Sequence, residues 1–77
     1  MLEKIIEILK SIRSDVDFEK EESLIDGGIL DSFDIVGVVA ELCEEFDITI
    51  TADQLEPENF NSAKAILKLV EEILDEE

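Results

Sequence analysis

Leu2, Ile5, Ile6, Leu9 and Ile12 recur at steps of three and four, with Glu3, Lys4, Glu7 and Lys10 elsewhere. That spacing puts the apolar side chains on one face and predicts an amphipathic helix running roughly to Arg13. From Ser14 to Leu30 the periodicity lapses. Seventeen irregular residues are too many for a slack connection in a compact fold, so this loop is expected to be packed or functional. Val16, Phe18, Leu24, Ile25 and Ile29 are the side chains able to pin it to a core. Helical spacing returns at about Ser32 and holds to Phe46, with Ile35, Val39, Leu42 and Phe46 on one side. Asp47 to Leu55 reads as extended loop: the alternation in Asp47-Ile48-Thr49-Ile50-Thr51 hints at a strand, but no partner strand is in sight. Pro57 suits the first position of a short helical turn ending near Phe60. Asn61 or Ser62 then caps a last helix whose buried stripe is Ala63, Ile66, Leu67, Val70, Ile73 and Leu74. The pattern predicts an all-α fold, a small four-helix bundle of three main helices plus one short helix, with a long first loop.

Composition changes this picture in one respect. A chain of 77 residues is expected to be a single domain spanning 1–77, burying only about 60% of its unfolded surface in one thin core. Aromatics make up 5% of the chain and there is no Trp or Tyr, so that core is aliphatic and leaves no deep cleft. No run approaches the roughly 18 apolar residues that a membrane span needs. Met1 leads directly into an amphipathic stretch rather than a basic region and an apolar block, so no secretory signal is expected. The single cysteine, Cys43, has no partner for an internal disulfide and fits a reducing, cytoplasmic setting.

Charge narrows the partners. Twenty-two acidic against six basic residues give a formal net charge of −16. The cations are Lys4, Lys10, Arg13, Lys20, Lys64 and Lys68; none lies between Glu21 and Ala63, a stretch holding twelve carboxylates. Nucleic acid and anionic membrane surfaces would be repelled, so neither is expected as a partner. Acidity of this kind keeps a small domain soluble. Its segregation into one stretch also suits docking against basic protein surfaces, with encounter rates that fall as salt rises.

One serine stands out. Ser32 follows Asp31 where the glycine-broken loop gives way to an apolar helix. A nucleophilic serine needs a base to take its proton, usually histidine. The chain has no histidine, and no lysine lies within eleven residues of Ser32. Solvated carboxylates with pKa near 4 are poor bases at neutral pH. Self-contained catalysis is therefore not expected, and the chain reads as a non-enzyme. A calcium loop fares no better. Asp15, Asp17, Glu19, Glu21, Ser23 and Asp26 fall in register, but Lys20 stands where the turn needs glycine and Asp26 where a bidentate glutamate belongs. Cys43 has no histidine or second cysteine with which to share a metal and is expected to be a small packing residue. No resident metal is expected. As a helix-start residue, Ser32 could also be simply an N-cap, a role that Asp31 could fill instead.

In this frame the chain resembles the acyl carrier protein family over nearly its whole length. Leu24-Ile25-Asp26-Gly27-Gly28-Ile29-Leu30 resembles the loop before that family's modified serine, and Asp31-Ser32 the modification motif itself. Glu44-Glu45-Phe46-Asp47-Ile48 resembles the end of its second helix, and Pro57-Glu58-Asn59-Phe60-Asn61-Ser62 the turn into its last. The resemblance implies a 4′-phosphopantetheine arm, drawn from coenzyme A, attached covalently to Ser32, with Asp31 helping a phosphopantetheinyl transferase and its metal recognise the site. It implies a phosphoprotein that holds an acyl or aminoacyl group as a thioester and works as a monomer between partner enzymes. Those partners are an adenylating ligase, or an acyltransferase or synthase, with a basic docking surface. Phe33, Val36 and Ala40 lie near one another at helical spacing after the serine, flanked by Asp34, Glu41, Glu44 and Glu45. By resemblance, such an apolar stripe rimmed by carboxylates is what partners grip, although Val36 fits a wide core face nearly as well. Gly37 departs from the acidic or bulky residue expected from fatty-acid carriers and costs about 1 kcal/mol of helix stability against alanine.

Phe33 stands where fatty-acid carriers commonly have leucine. Gly28-Ile29-Leu30-Asp31-Ser32 with Phe46-Asp47-Ile48 is more similar to stand-alone carriers serving an adenylating ligase, of which the D-alanyl carrier proteins are one group; Asn59-Phe60-Asn61-Ser62 also resembles their segment. The cargo divides between aminoacyl groups and chains of the fatty-acid or polyketide biosynthesis type. The alternative of a different class is an acidic helical adaptor that binds a basic protein partner without any prosthetic group.

Overall fold

The computed structural model describes residues 1–76, with the backbone alone at Glu76. Four α-helices follow in chain order: α1 Leu2–Ile12, α2 Ser32–Phe46, α3 Pro57–Phe60 and α4 Ala63–Glu76, with a 3-10 turn at Ala52–Gln54 ahead of α3. Among the described residues there is no strand, so the Asp47–Thr51 alternation is extended loop. Helix α1 is central and packs against both α2 and α4, while α3 rests on the start of α4.

The core is aliphatic with two phenylalanines. Ile5, Ile8 and Leu9 of α1 meet Val38 and Leu42 of α2 and Ala63, Ile66, Leu69, Val70 and Ile73 of α4. The first loop contributes Phe18, Leu24 and Leu30, all buried, with Val16, Ile25 and Ile29 partly buried against them. The loop is therefore part of the core rather than slack around it.

On α2 the inward face is rotated from the periodicity reading. Val38 is fully buried, whereas Ile35, Val39 and Phe46 are only partly so. The cause is the approach of α1 on the Gly37 side: a Cβ at Gly37 would lie 3.3 Å from Ile12 Cδ1. The missing side chain lets the two helices close together and draws Val38 to the centre. Ile8 and Leu69 likewise join the core beside the stripes read from spacing, and Leu67 and Leu74 sit at its edge.

Candidate functional site

The loop is shaped to present the start of α2. The Gly27 amide donates to the Ser23 carbonyl at 2.7 Å, a turn so tight that a Cβ at Gly27 would sit 2.6 Å from that same oxygen. Gly28 follows with φ +72°, in the left-handed region that glycine enters without strain. The Leu30 amide then donates back to the Leu24 carbonyl at 2.8 Å, closing the subloop. Asn61, just ahead of α4, staples it to the body. Its Oδ1 accepts from the Ile25 and Asp26 amides, both at 3.0 Å, and its Nδ2 donates to the Asp26 carboxylate at 3.0 Å. Its carbonyl accepts from the Leu24 amide at 2.9 Å. The cap of α4 is Ser62, whose Oγ accepts from the Ala65 amide at 3.0 Å.

At the end of this subloop, Asp31 is the N-cap of α2. Its carboxylate accepts from the Asp34 amide at 2.9 Å, and the Asp34 carboxylate accepts in return from the Asp31 amide at 3.2 Å. This reciprocal capping box satisfies two helix-end donors. Of the two candidates for this cap, Asp31 makes the bond, and Ser32 is the exposed first residue of α2.

Arg13 ties the junction to α1. Its Nη1 donates to the Ile29 carbonyl at 2.9 Å and lies 3.7 Å from the Asp34 carboxylate. Its Nε and Nη2 reach the two Asp15 oxygens at 3.3 and 3.4 Å. The hydrogen bond and charge of Asp15 raise the guanidinium above its ordinary pKa, with smaller contributions from Asp34 and Asp31. In return, the hydrogen bond from Arg13 holds the Asp15 carboxyl below its ordinary range. The sequence alone gives Arg13 no role at the junction, because Ile29 and Asp34 lie in other segments.

The outer face of α2 carries the other anticipated residues. Phe33 is 85% exposed and Val36 68%, which answers whether Val36 belongs to the core. Ala40, Glu41 and Glu44 are exposed beside them. Glu45 pairs with Lys4 of α1 at 3.7 Å. Asp34 differs from the rest of that rim, since its half-buried carboxylate is engaged in the cap and with Arg13. Cys43 is half-buried. The carboxylates of the first loop serve local turns: Asp17 accepts from the Glu19 amide and Glu21 from the Ser23 amide. Among the described residues no three potential ligands converge on a metal position.

Ser32 is thus an exposed residue heading a helix whose cap bond Asp31 makes. Comparison with known proteins gives the family. Residues 2–70 match the family described as "Phosphopantetheine attachment site". The chain belongs to this phosphopantetheine-carrying family. It is 33% identical over 73 residues to a D-alanyl carrier protein of Streptococcus suis, covering 94% of this chain and 92% of that one. A D-alanyl carrier protein of Lactococcus lactis is 32% identical over 78 residues, covering 99% of each chain. One of Streptococcus mutans is 34% identical over 71 residues, covering 87% of this chain and 90% of that one. Membership implies a carrier role and a covalently attached 4′-phosphopantetheine. The α2 junction fits such a group: the hydroxyl is exposed, is not consumed as a cap, and heads a helix whose unpaired amides favour an anion.

Proposed function

We propose that residues 1–77 act as one carrier domain, with Ser32 the attachment point of 4′-phosphopantetheine and D-alanine or another small aminoacyl group the cargo. When bound, the arm supplies a thiol that holds the cargo as a thioester. The chain's own contribution is to expose Ser32 Oγ, keep it off the capping network and offer α2 to partner enzymes. Asp31 fixes the backbone around the serine and presents a carboxylate to the transferase. Phe33, Val36 and Ala40, rimmed by Glu41, Glu44 and Glu45, form the surface that a phosphopantetheinyl transferase, an adenylating ligase and a downstream acyltransferase meet in turn. The carrier performs none of this chemistry itself, and its lone cysteine suits the reducing cytoplasm in which such ligases use ATP.

One observation carries the reading: Asp31, not Ser32, makes the N-cap bond, at 2.9 Å, so the exposed serine keeps its hydroxyl for a modifying enzyme. The aminoacyl cargo is supported by relatives named as D-alanyl carriers that match the chain over nearly its whole length. Incubation with coenzyme A, magnesium and a broad-specificity phosphopantetheinyl transferase should add one arm by intact mass, and Ser32→Ala should abolish the gain. An adaptor without a prosthetic group would stay unmodified. An arm accepted by the Ser32→Ala protein would show that attachment lies elsewhere.

A further inference from the structure

Arg13 is the one basic side chain that reaches the α2 junction among the described residues. It stands at the C-cap of α1, where its own amide donates to the Leu9 carbonyl. From there one guanidinium nitrogen contacts both sides of the serine. It meets the Ile29 carbonyl at 2.9 Å, three residues before Ser32, and the Asp34 carboxylate at 3.7 Å, two residues after it. The rest of the fork is held by Asp15 at 3.3 and 3.4 Å, so the guanidinium is fixed from three directions. The Asp34 oxygen facing Arg13, Oδ2, is the same one that accepts from the Asp31 amide. Loss of Arg13 would therefore loosen the loop end and the capping box together. The junction also gathers two carboxylates, Asp31 and Asp34, and an attached phosphodiester would add a third negative group there.

We infer that Arg13 is a positioning residue for modification at Ser32, clamping the loop end and the α2 cap into the one geometry a transferase accepts. This rests on Ser32 being the attachment point. Without the clamp the competent junction is populated only part of the time. Apparent affinity falls by that fraction, so the defect appears in KM for the carrier while kcat holds. A planar fork satisfying a carbonyl and two carboxylates is also not replaced by the point charge of lysine.

The test compares wild type, Arg13→Gln, Arg13→Lys and Lys10→Gln as transferase substrates, at a temperature where melts show all four folded. Lys10→Gln removes the same charge from α1 without touching the junction. Arg13→Gln should raise KM about threefold to tenfold, Arg13→Lys should fall between it and wild type, and Lys10→Gln should stay within about twofold. Amide exchange should quicken at Leu30 and Asp34 in Arg13→Gln but not at Leu42. Should Arg13→Gln not fold, Arg13→Lys carries the comparison through the same KM and exchange readouts. Wild-type KM and junction exchange in the Arg13 variants, or an equal defect in Lys10→Gln, would overturn the inference. A wild-type chain that accepts no arm would instead overturn the attachment reading beneath it.

Discussion

Asn61 shows how much one side chain can hold in a domain this thin. Its amide group serves two loop amides and one carboxylate, and its carbonyl a third amide. Truncation to alanine would leave the half-buried Ile25 amide without its partner and free the subloop that delivers Ser32. Asn61→Ala is expected to cost about 1–3 kcal/mol, measured by urea unfolding; a cost below about 0.5 kcal/mol, the scale of an ordinary surface change, would show that water replaces the staple. Ser62→Ala removes one cap bond and should cost about 1 kcal/mol. Sequence reading left Asn61 and Ser62 as equal candidates for the cap of α4. Local rules cannot separate them, since what claims Asn61 is a loop 35 and 36 residues away. The same limit hid Arg13, whose carbonyl partner is 16 residues distant. It also shifted the core from Val39 to Val38, because both fit the helical step from Ile35 and only the approach of α1 over Gly37 decides between them. By contrast, the helices were legible because their spacing depends on neighbours within a turn or two, and the packing of the first loop showed in its length and its apolar side chains.

At the scale of an element, α2 has two faces with different work. Val38 and Leu42 hold it to the core, and its outward face presents Phe33 and Val36 to solvent among carboxylates. Large exposed apolar residues beside the proposed attachment point are better explained by recognition than by folding. Stability and binding should therefore separate. Phe33→Ala should leave the melting temperature nearly unchanged, since an 85% exposed ring contributes little to the core. It should nevertheless weaken binding to a transferase or adenylating ligase, with little dependence on salt. Reversing Glu41 and Glu44 to lysine should instead slow association, and the loss should shrink as the Debye length falls from about 10 Å at 0.1 M to about 3 Å at 1 M salt. Stopped-flow association rates at the two ionic strengths decide the matter; equal losses at both would refute electrostatic steering by this helix.

For the whole molecule, charge sets the margin of stability. A net charge of −16 on 77 residues repels itself more in the folded bundle than in the expanded chain. The thin core leaves little stability to spare. Two carboxylates mark how pH enters, and they act in opposite directions. Glu56 is raised above its ordinary pKa, first by its hydrogen bond with Glu58, then by that residue's charge, with burial and Asp53 adding to it. Between its ordinary and its folded value the native state keeps a proton that the unfolded chain has lost. Stability from Glu56 therefore grows as pH falls through that window and is absent at neutral pH. Asp15 is lowered by its hydrogen bond from Arg13. Its contribution is present above its ordinary pKa and disappears as acid carries the pH down through the folded value. Thermal melts from neutral pH downward should thus rise slightly as Glu56 takes up its proton in the folded state, and fall at lower pH as Asp15 does. Glu56→Gln should remove the early rise, and Asp15→Asn should soften the later fall. Screening addresses the larger, collective term. Relief of even about 1 kcal/mol shifts the melting temperature of a domain this size by about 4–8 °C, so sodium chloride at about 0.5 M should raise it measurably at neutral pH. Magnesium should act at lower concentration through diffuse association with the acidic stretch, and without a saturable single site, since no three ligands converge among the described residues. A melting temperature at neutral pH that is indifferent to both salts would mean that the capping box, the Asn61 staple and the Arg13 network outweigh the net charge. Stability would then have to be sought in those few bonds rather than in the field of the whole chain.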